Sequence, residues 1–226
     1  MRLLRGRASD HERDYDRTRE MVARVADDDE PALRVWRPHR QVAFGRRDRR
    51  VEGYDRAREA ATERGYAVLE REVGGRAVAY TGRTVAFALA EPTADGRGDI
   101  GARYDRVSGA VQRALEAVGV DASEGEPADS FCPGAHSLQA TGKLVGIAQR
   151  VRQDVALSAG VVILRDHDAI AAVLAPVYEA LGVPFDPGSV GSVARAGGDA
   201  AGVVDALVTE LVGSRPVTAR DSIRDT

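Results

Sequence analysis

The order of the chain's periodic segments constrains its fold most. Three strand-like runs, 66–69, 77–80 and 84–89, follow one another without a helix between them. A helical stretch comes next over 103–118, with Val107, Val111, Ala114, Leu115 and Val118 on one face and Gly119 as its stop. Two further strand-like runs, 144–150 and 155–164, then stand side by side in sequence. Around this centre lie a charged helix near 9–27, short strands at 33–36 and 41–44 joined across Pro38 and His39, and a helix at 54–64 closed by Gly65. Amphipathic helices near 168–181 and 199–212 complete the pattern. Runs of strands with helices interspersed irregularly predict an α+β fold with a mixed β-sheet flanked by helices.

The chain's 226 residues suit one domain over 1–226, with enough length for a substantial core. Aromatic residues make up only 5%, so that core rests on Ala, Val and Leu. A net charge of -3 gives no argument for a nucleic-acid partner. No apolar stretch approaches the roughly 18–20 residues that span a bilayer, and the basic start MRLLRGRASDHERD lacks the apolar segment of a secretory signal. The expectation is a cytoplasmic protein with no membrane partner.

Three segments carry chemistry. The first, REVGGRAV, places Arg71, Gly74, Gly75, Ala77 and Val78 between two strands, where paired glycines let a ligand lie against the main chain or simply make a turn. The second, SFCPGAHSL, holds Cys132, the only cysteine, before Pro133 and Gly134. A lone cysteine excludes an intramolecular disulfide and a Cys-based metal site, and no metal is expected. It is either a nucleophile presented at a turn or a small buried hydrophobe. His136 supports the thiol if the loop folds back, and is otherwise a loop residue.

The third segment, TGKLVGIAQR, contains Lys143, the only lysine in a chain whose other basic side chains, histidines apart, are all arginine. Asparagine is absent, and a GC-rich genome explains both biases. The surviving lysine stands out against that background. At the mouth of a strand it polarises an acyl carbonyl or neutralises a phosphate, or it is a solvated surface cation. On the surface-loop reading, a swap to arginine changes stability by less than about 0.5 kcal/mol.

Together these segments resemble the lipoate-protein ligase and octanoyltransferase superfamily, most nearly its cysteine-dependent octanoyltransferase and amidotransferase branch. LRVWRPHRQVAFGRRD is similar to the family's LR-x-W segment, and YDRAREAATERGYAVLEREVGGRAVAY to its helix, strand and R-x-x-GG-x-AV loop. SFCPGAHSLQATGKLVGIAQR resembles the S-[FY]-CPG … GKK-x-x-GI-x-QRR stretch, so the likeness covers about 30–165, with GSV near 190 agreeing weakly. The resemblance implies a catalytic domain of the biotin/lipoate protein ligase type, related to class II aminoacyl-tRNA synthetases. It implies that Cys132 accepts an octanoyl or lipoyl group as a thioester and that Lys143 contacts the acyl carbonyl. Arg71, Gly74, Gly75, Ala77 and Val78 match the acyl-binding loop. Gly146 and Gln149 match the strand after the lysine, and Gly134 and His136 belong to the cysteine loop.

The implied partners are lipoyl domains of 2-oxoacid dehydrogenases or the glycine cleavage H protein, and acyl carrier protein. Transfer needs no cofactor, whereas ATP and Mg enter only for a ligase. Departures include Val73 before the glycine pair, Arg76 after it, Leu144 where a second lysine is common, Thr81-Gly82 where an aspartate often follows, and no asparagine. They leave the donor open between carrier thioester, lipoyl-protein and adenylate. Two rivals remain: an ATP-dependent ligase, for whose accessory domain a chain ending near 226 leaves no obvious room, and a non-catalytic binder of acyl carriers or lipoyl domains. GRRDRR at 45–50 adds a cationic loop suited to acidic partners.

Overall fold

The computed structural model describes residues 1–71, 75–93, 99–152 and 154–223. Its elements in chain order are β1 (Arg2–Arg5), α1 (His11–Asp28), β2 (Ala32–Trp36), β3 (Gln41–Phe44), α2 (Tyr54–Glu63), β4 (Ala67–Glu70), β5 (Val78–Tyr80) and β6 (Thr84–Pro92). There follow α3 (Ile100–Glu116), β7 (Ser123–Glu124), β8 (Ser137–Gln139), β9 (Lys143–Arg152), β10 (Val155–Ile163), α4 (His167–Ala180), α5 (Val203–Val212) and β11 (Ala219–Ser222). The main sheet runs β11-β1-β2-β6-β10-β9-β8-β7, and a smaller one runs β4-β3-β5. Parallel pairs (β1 with β11 and β2, β3 with β4) accompany antiparallel ones, so the expected mixed α+β architecture is present.

The alternation of β6 explains how the main sheet is covered. Val85, Phe87 and Leu89 point into a core shared with Val107, Val111 and Leu115 of α3 and Leu207 and Leu211 of α5. Ala88 and Ala90, on the opposite face, lie under Met21 and Val25 of α1. Period-2 alternation thus puts bulky residues against two helices and alanines where α1 approaches closely. Each fully buried Val or Leu in that core contributes about 1.5–3 kcal/mol relative to exposure. The small sheet packs with α2 and α4 in a second core that includes Phe44, Ala57, Leu174 and Tyr178.

Arg34 of β2 also points toward α1, where its guanidinium meets the Asp14 carboxylate at 2.5 Å and lies 4.2 Å from the Trp36 ring centroid. Asp14 additionally accepts from the Ala8 amide, so one buried ion pair ties α1, β2 and the incoming chain together.

The strands at 33–36 and 41–44 exist as expected, but they part into different sheets after Trp36. The last helix starts at Val203 rather than 199, because 199–202 form a turn held by the Asp199 carboxylate on the Ala201 amide. β1 and β11 have no counterpart in the sequence reading. RLLR and ARDS are short, charged segments without alternation, and only the pairing of β1 with β11 on one side and β2 on the other makes them strands. Among the described residues, no helix is long and apolar enough to cross a membrane.

Candidate functional site

The site is assembled where β9 begins. Gly142 has φ +124°, and a Cβ there would stand 2.7 Å from the Gly191 nitrogen and 2.9 Å from the Ser189 oxygen. Only glycine lets the 189–191 segment close over this point, and the Gly191 amide then bonds the Lys143 carbonyl at 3.0 Å. This closure buries the next residue. Lys143 is 1% exposed, which corrects the surface-loop reading of that side chain.

A buried ammonium needs partners for its three protons. Lys143 Nζ donates to Glu126 Oε2 at 2.5 Å and to the carbonyls of Phe131 and Cys132, each at 2.9 Å. The Phe131 ring centroid lies 4.9 Å away. Glu126 in turn accepts from the Gly134 amide and from the Ser137 hydroxyl, both at 2.9 Å.

Cys132 sits at the turn expected of it, in a left-handed conformation with φ +43°. For a residue carrying a Cβ this costs about 1–2 kcal/mol, and it persists only where the surroundings over-determine it. Here they do: its carbonyl is held by Lys143, and its amide donates to the Tyr178 hydroxyl at 2.6 Å. That hydroxyl donates in turn to the Ala77 carbonyl at 2.9 Å, and burial, followed by the Cys132 thiol, pushes the phenol well above its ordinary range.

The thiol faces the glycine loop. Sγ accepts from the Arg76 amide at 3.4 Å, and a Cβ on Gly75, whose φ is +93°, would come within 2.9 Å of the sulfur. Arg71 Nη2 caps the Arg76 carbonyl at 2.6 Å. Burial pulls the Arg71 guanidinium down, but the Tyr80 phenol and the Cys132 thiol outweigh it and leave it above its ordinary value. The Arg76 guanidinium pairs with the fully buried Asp48 at 3.3 Å, which also accepts from the Gly45 amide. Gly45 lies so close to the Gly75 carbonyl that a Cβ would stand 2.1 Å from it. The cationic loop 46–50 is therefore built onto the same glycine loop that covers the thiol.

Most of the candidate residues thus converge. Cys132, Lys143, Arg71 and Gly75 meet directly, and Ala77 joins through Tyr178 with the buried Val78 beside it. Gly134 is tied in by Glu126, and Gly146 leaves space beside Lys143, whose Cε is 3.7 Å from where a Cβ would be. Gly74 lies outside the described residues.

His136 and Gln149 belong to a different cluster. The His136 ring stacks on Tyr104 of α3 with centroids 3.4 Å apart, so the loop does not fold it back to the thiol. Gln149 is six residues along β9 from Lys143, about 20 Å at strand rise, and its side chain bonds Arg103 and the Ile100 carbonyl. Sequence reasoning missed Glu126, Tyr178 and Asp48. Tyr178 carries the one hydroxyl in the apolar segment AVLAPVYEAL, a readable signal, whereas Glu126 is one of several acids in a polar loop.

An N–H donor and a guanidinium beside a cysteine sulfur, with the peptide behind it fixed, form an arrangement able to support a cysteine nucleophile. Residues 13–190 match the model of the lipoyl protein ligase A/B catalytic domain. The chain belongs to that family.

Among characterised relatives it is similar to an octanoyl-GcvH:protein N-octanoyltransferase of Exiguobacterium sp., at 28% identity over 149 residues covering 65% of this chain and 53% of the relative. A protein of the same name from Geobacillus kaustophilus is 30% identical over 127 residues, covering 55% and 45%. The chain thus spans about half the length of the curated relatives it matches. Among solved structures, a lipoate-protein ligase A bound with ATP superposes with a TM-score of 0.76 at 21% identity, covering all of this chain and 88% of the other. The bipartite lipoate protein ligase of Thermoplasma acidophilum, solved with its E2 lipoyl domain as an archaeal lipoylation system, gives 0.72 at 20% identity, covering 99% and 87%. At these identities the superpositions establish the fold.

Proposed function

We propose that this chain, acting as one catalytic domain, is an acyltransferase that carries an octanoyl or lipoyl group as a thioester on Cys132. It then passes the group to the lysine of a lipoyl domain. The observation that carries the reading is the single cysteine, held in a left-handed turn with its sulfur turned to the Arg76 amide and its carbonyl clamped by Lys143. The shared name of the matched relatives, which specifies octanoyl transfer from GcvH to protein, supports it.

In the first step the Cys132 thiolate attacks the acyl carbonyl of the donor. From a carrier thioester the C–S bond breaks and the carrier leaves as a thiolate. From an octanoyl-lysine of a lipoyl domain the C–N bond breaks, and the lysine leaves as a neutral amine once its nitrogen has taken a proton from solvent. In the second, the neutral ε-amine of the acceptor lysine attacks the acyl-Cys132 carbonyl. An amide forms, the proton lost by the nitrogen passes to solvent, and Cys132 departs as a thiolate. Neither step consumes ATP or requires a metal. The glycine loop with Gly75, Ala77 and Val78 bounds the acyl group, Arg71 braces that loop, and Gly146 keeps the space beside Lys143 open. Lys143 exchanges one of its main-chain carbonyls for the acyl oxygen as charge develops there. Its partners in this reading are lipoyl domains and an acyl carrier, and a free thiol nucleophile suits the reducing cytoplasm.

Intact-mass analysis after mixing with octanoyl-acyl carrier protein and, separately, with an octanoylated H-protein lipoyl domain tests the reading. An octanoyl adduct forms on the wild type and not on Cys132→Ser. Full transfer by Cys132→Ser removes the thioester route, and pyrophosphate release with ATP and lipoate would then identify a ligase.

A further inference from the structure

Glu126 reaches three parts of the cysteine loop at once. Its carboxylate takes the Lys143 ammonium, the Gly134 amide two residues beyond Cys132, and the Ser137 hydroxyl where the loop enters β8. Lys143 uses its two other protons on the carbonyls of Phe131 and Cys132. The segment 131–134 is therefore gripped on its carbonyl side by Lys143 and on its amide side by Glu126, and the two grips are joined by one ion pair. The Tyr178 hydroxyl on the Cys132 amide supplies a third tie, from α4.

We propose that Glu126 is a positioning residue for Cys132. The carboxylate, acting through Lys143 and Gly134, keeps the cysteine in its left-handed turn and so keeps Sγ against the Arg76 amide. This inference deepens the thioester reading and rests on it for the acylation step. A cysteine prefers negative φ, and nothing intrinsic to the C-P-G sequence holds it at +43°. Without a carboxylate at 126, Lys143 loses its anionic partner and the Gly134 amide loses its carboxylate acceptor. The turn is then free to relax and carry the sulfur away from Arg76.

The partition of hydrogen bonds also explains why lysine stands here. Its three protons point in tetrahedral directions and suit two carbonyls and a carboxylate, whereas a planar guanidinium presents its donors in a fork.

Because Cys132 is the only cysteine, iodoacetamide reports on this thiol alone and independently of any acyl transfer. The test uses the full chain as wild type, Glu126→Gln and Glu126→Asp, with the exposed neighbour Glu124→Gln as control. For Glu126→Gln we expect the alkylation rate at pH 8 to fall at least fivefold. With octanoyl-acyl carrier protein as donor, kcat for Cys132 acylation falls at least thirtyfold while KM stays within twofold. Glu126→Asp, which keeps the charge one methylene short, falls between, and Glu124→Gln matches wild type.

Wild-type alkylation and acylation rates in Glu126→Gln overturn the proposal. So does a lowered melting temperature with an unchanged alkylation rate, which makes Glu126 a stability residue only. Should Glu126→Gln not fold, Glu126→Asp carries the same comparison, and wild-type rates in it overturn the proposal equally. If the wild type itself is never acylated, the thioester reading fails, yet the alkylation comparison still decides the role of Glu126.

Discussion

Replacing Lys143 by methionine keeps the stem and removes the ammonium, and its cost is calculable from the site. Three hydrogen bonds disappear, one of them an ion pair to a side chain that is 17% exposed. Breaking a buried pair by deleting one partner costs about 3–5 kcal/mol. The lower figure applies here and is further reduced, because the stranded carboxylate keeps the Gly134 amide and Ser137 hydroxyl and has some access to water. We expect a loss of about 2–3 kcal/mol, which for a chain of this size lowers the melting temperature by about 4–12 °C. Lys143→Arg sharpens the point. A solvated surface lysine would tolerate it within about 0.5 kcal/mol. In the buried site the wider guanidinium overpacks and loses at least one acceptor, at about 1–3 kcal/mol. Calorimetric and circular-dichroism melts of the three proteins, with urea titrations at 25 °C, provide the measurement. A methionine variant melting within a degree of wild type refutes the reasoning and returns Lys143 to the solvent.

Four more outcomes follow from the same geometry. Gly75→Ala places a Cβ 2.9 Å from Sγ at φ +93°, so Cys132 alkylation and acylation slow at least tenfold for a stability loss of about 1–2 kcal/mol; unchanged thiol reactivity contradicts the loop's placement. Changing the exposed Arg46, Arg47 and Arg50 to Gln, while leaving Arg49 on Glu70, weakens binding of an acidic lipoyl domain and flattens its salt dependence; equal affinity at 50 and 300 mM salt (roughly 14 and 6 Å Debye lengths) excludes electrostatic docking. Asp14→Asn, which removes the charge paired with the fully buried Arg34, destabilises by about 3–5 kcal/mol in urea unfolding, and a loss below about 1 kcal/mol refutes the role given to that pair. The Glu30 carboxyl is held at about 2 by the Thr218 hydroxyl and then Arg2, so its contribution is fully present above pH 4.5 and is lost as pH falls through about 2; Glu30→Gln therefore melts below wild type at pH 7 by a gap that narrows steadily below pH 4.5, and a gap as wide at pH 2 as at pH 7 contradicts this.

Much of this protein was legible in its residues. The apolar spacing of 103–118 marks α3 because a helix with one buried face requires it, and positive φ at Gly65 and Gly119 is what glycine after a helix signals. The lone cysteine before Pro-Gly was readable as a turn residue, and the lone lysine stood out against an arginine background. Segment order also indicated a mixed sheet.

Tertiary structure decided whatever depends on groups distant in sequence. β1 and β11 are strands because opposite ends of the chain pair with each other, and their charged sequences carry no strand pattern. Lys143 is buried because 189–191 closes over Gly142, some fifty residues away in sequence, so its environment could not be read from TGKL. His136 lies four residues from Cys132 yet stacks on α3, because β8 pairing turns its ring away from the thiol. Glu126 becomes the partner of Lys143 only when β8 and β9 pair and bring the loop before Cys132 alongside the start of β9. Local spacing determines helices, strands and turns because those are short-range hydrogen-bond patterns. The protonated groups of a buried site find their partners only once the chain has packed, and that pairing determines what each side chain does.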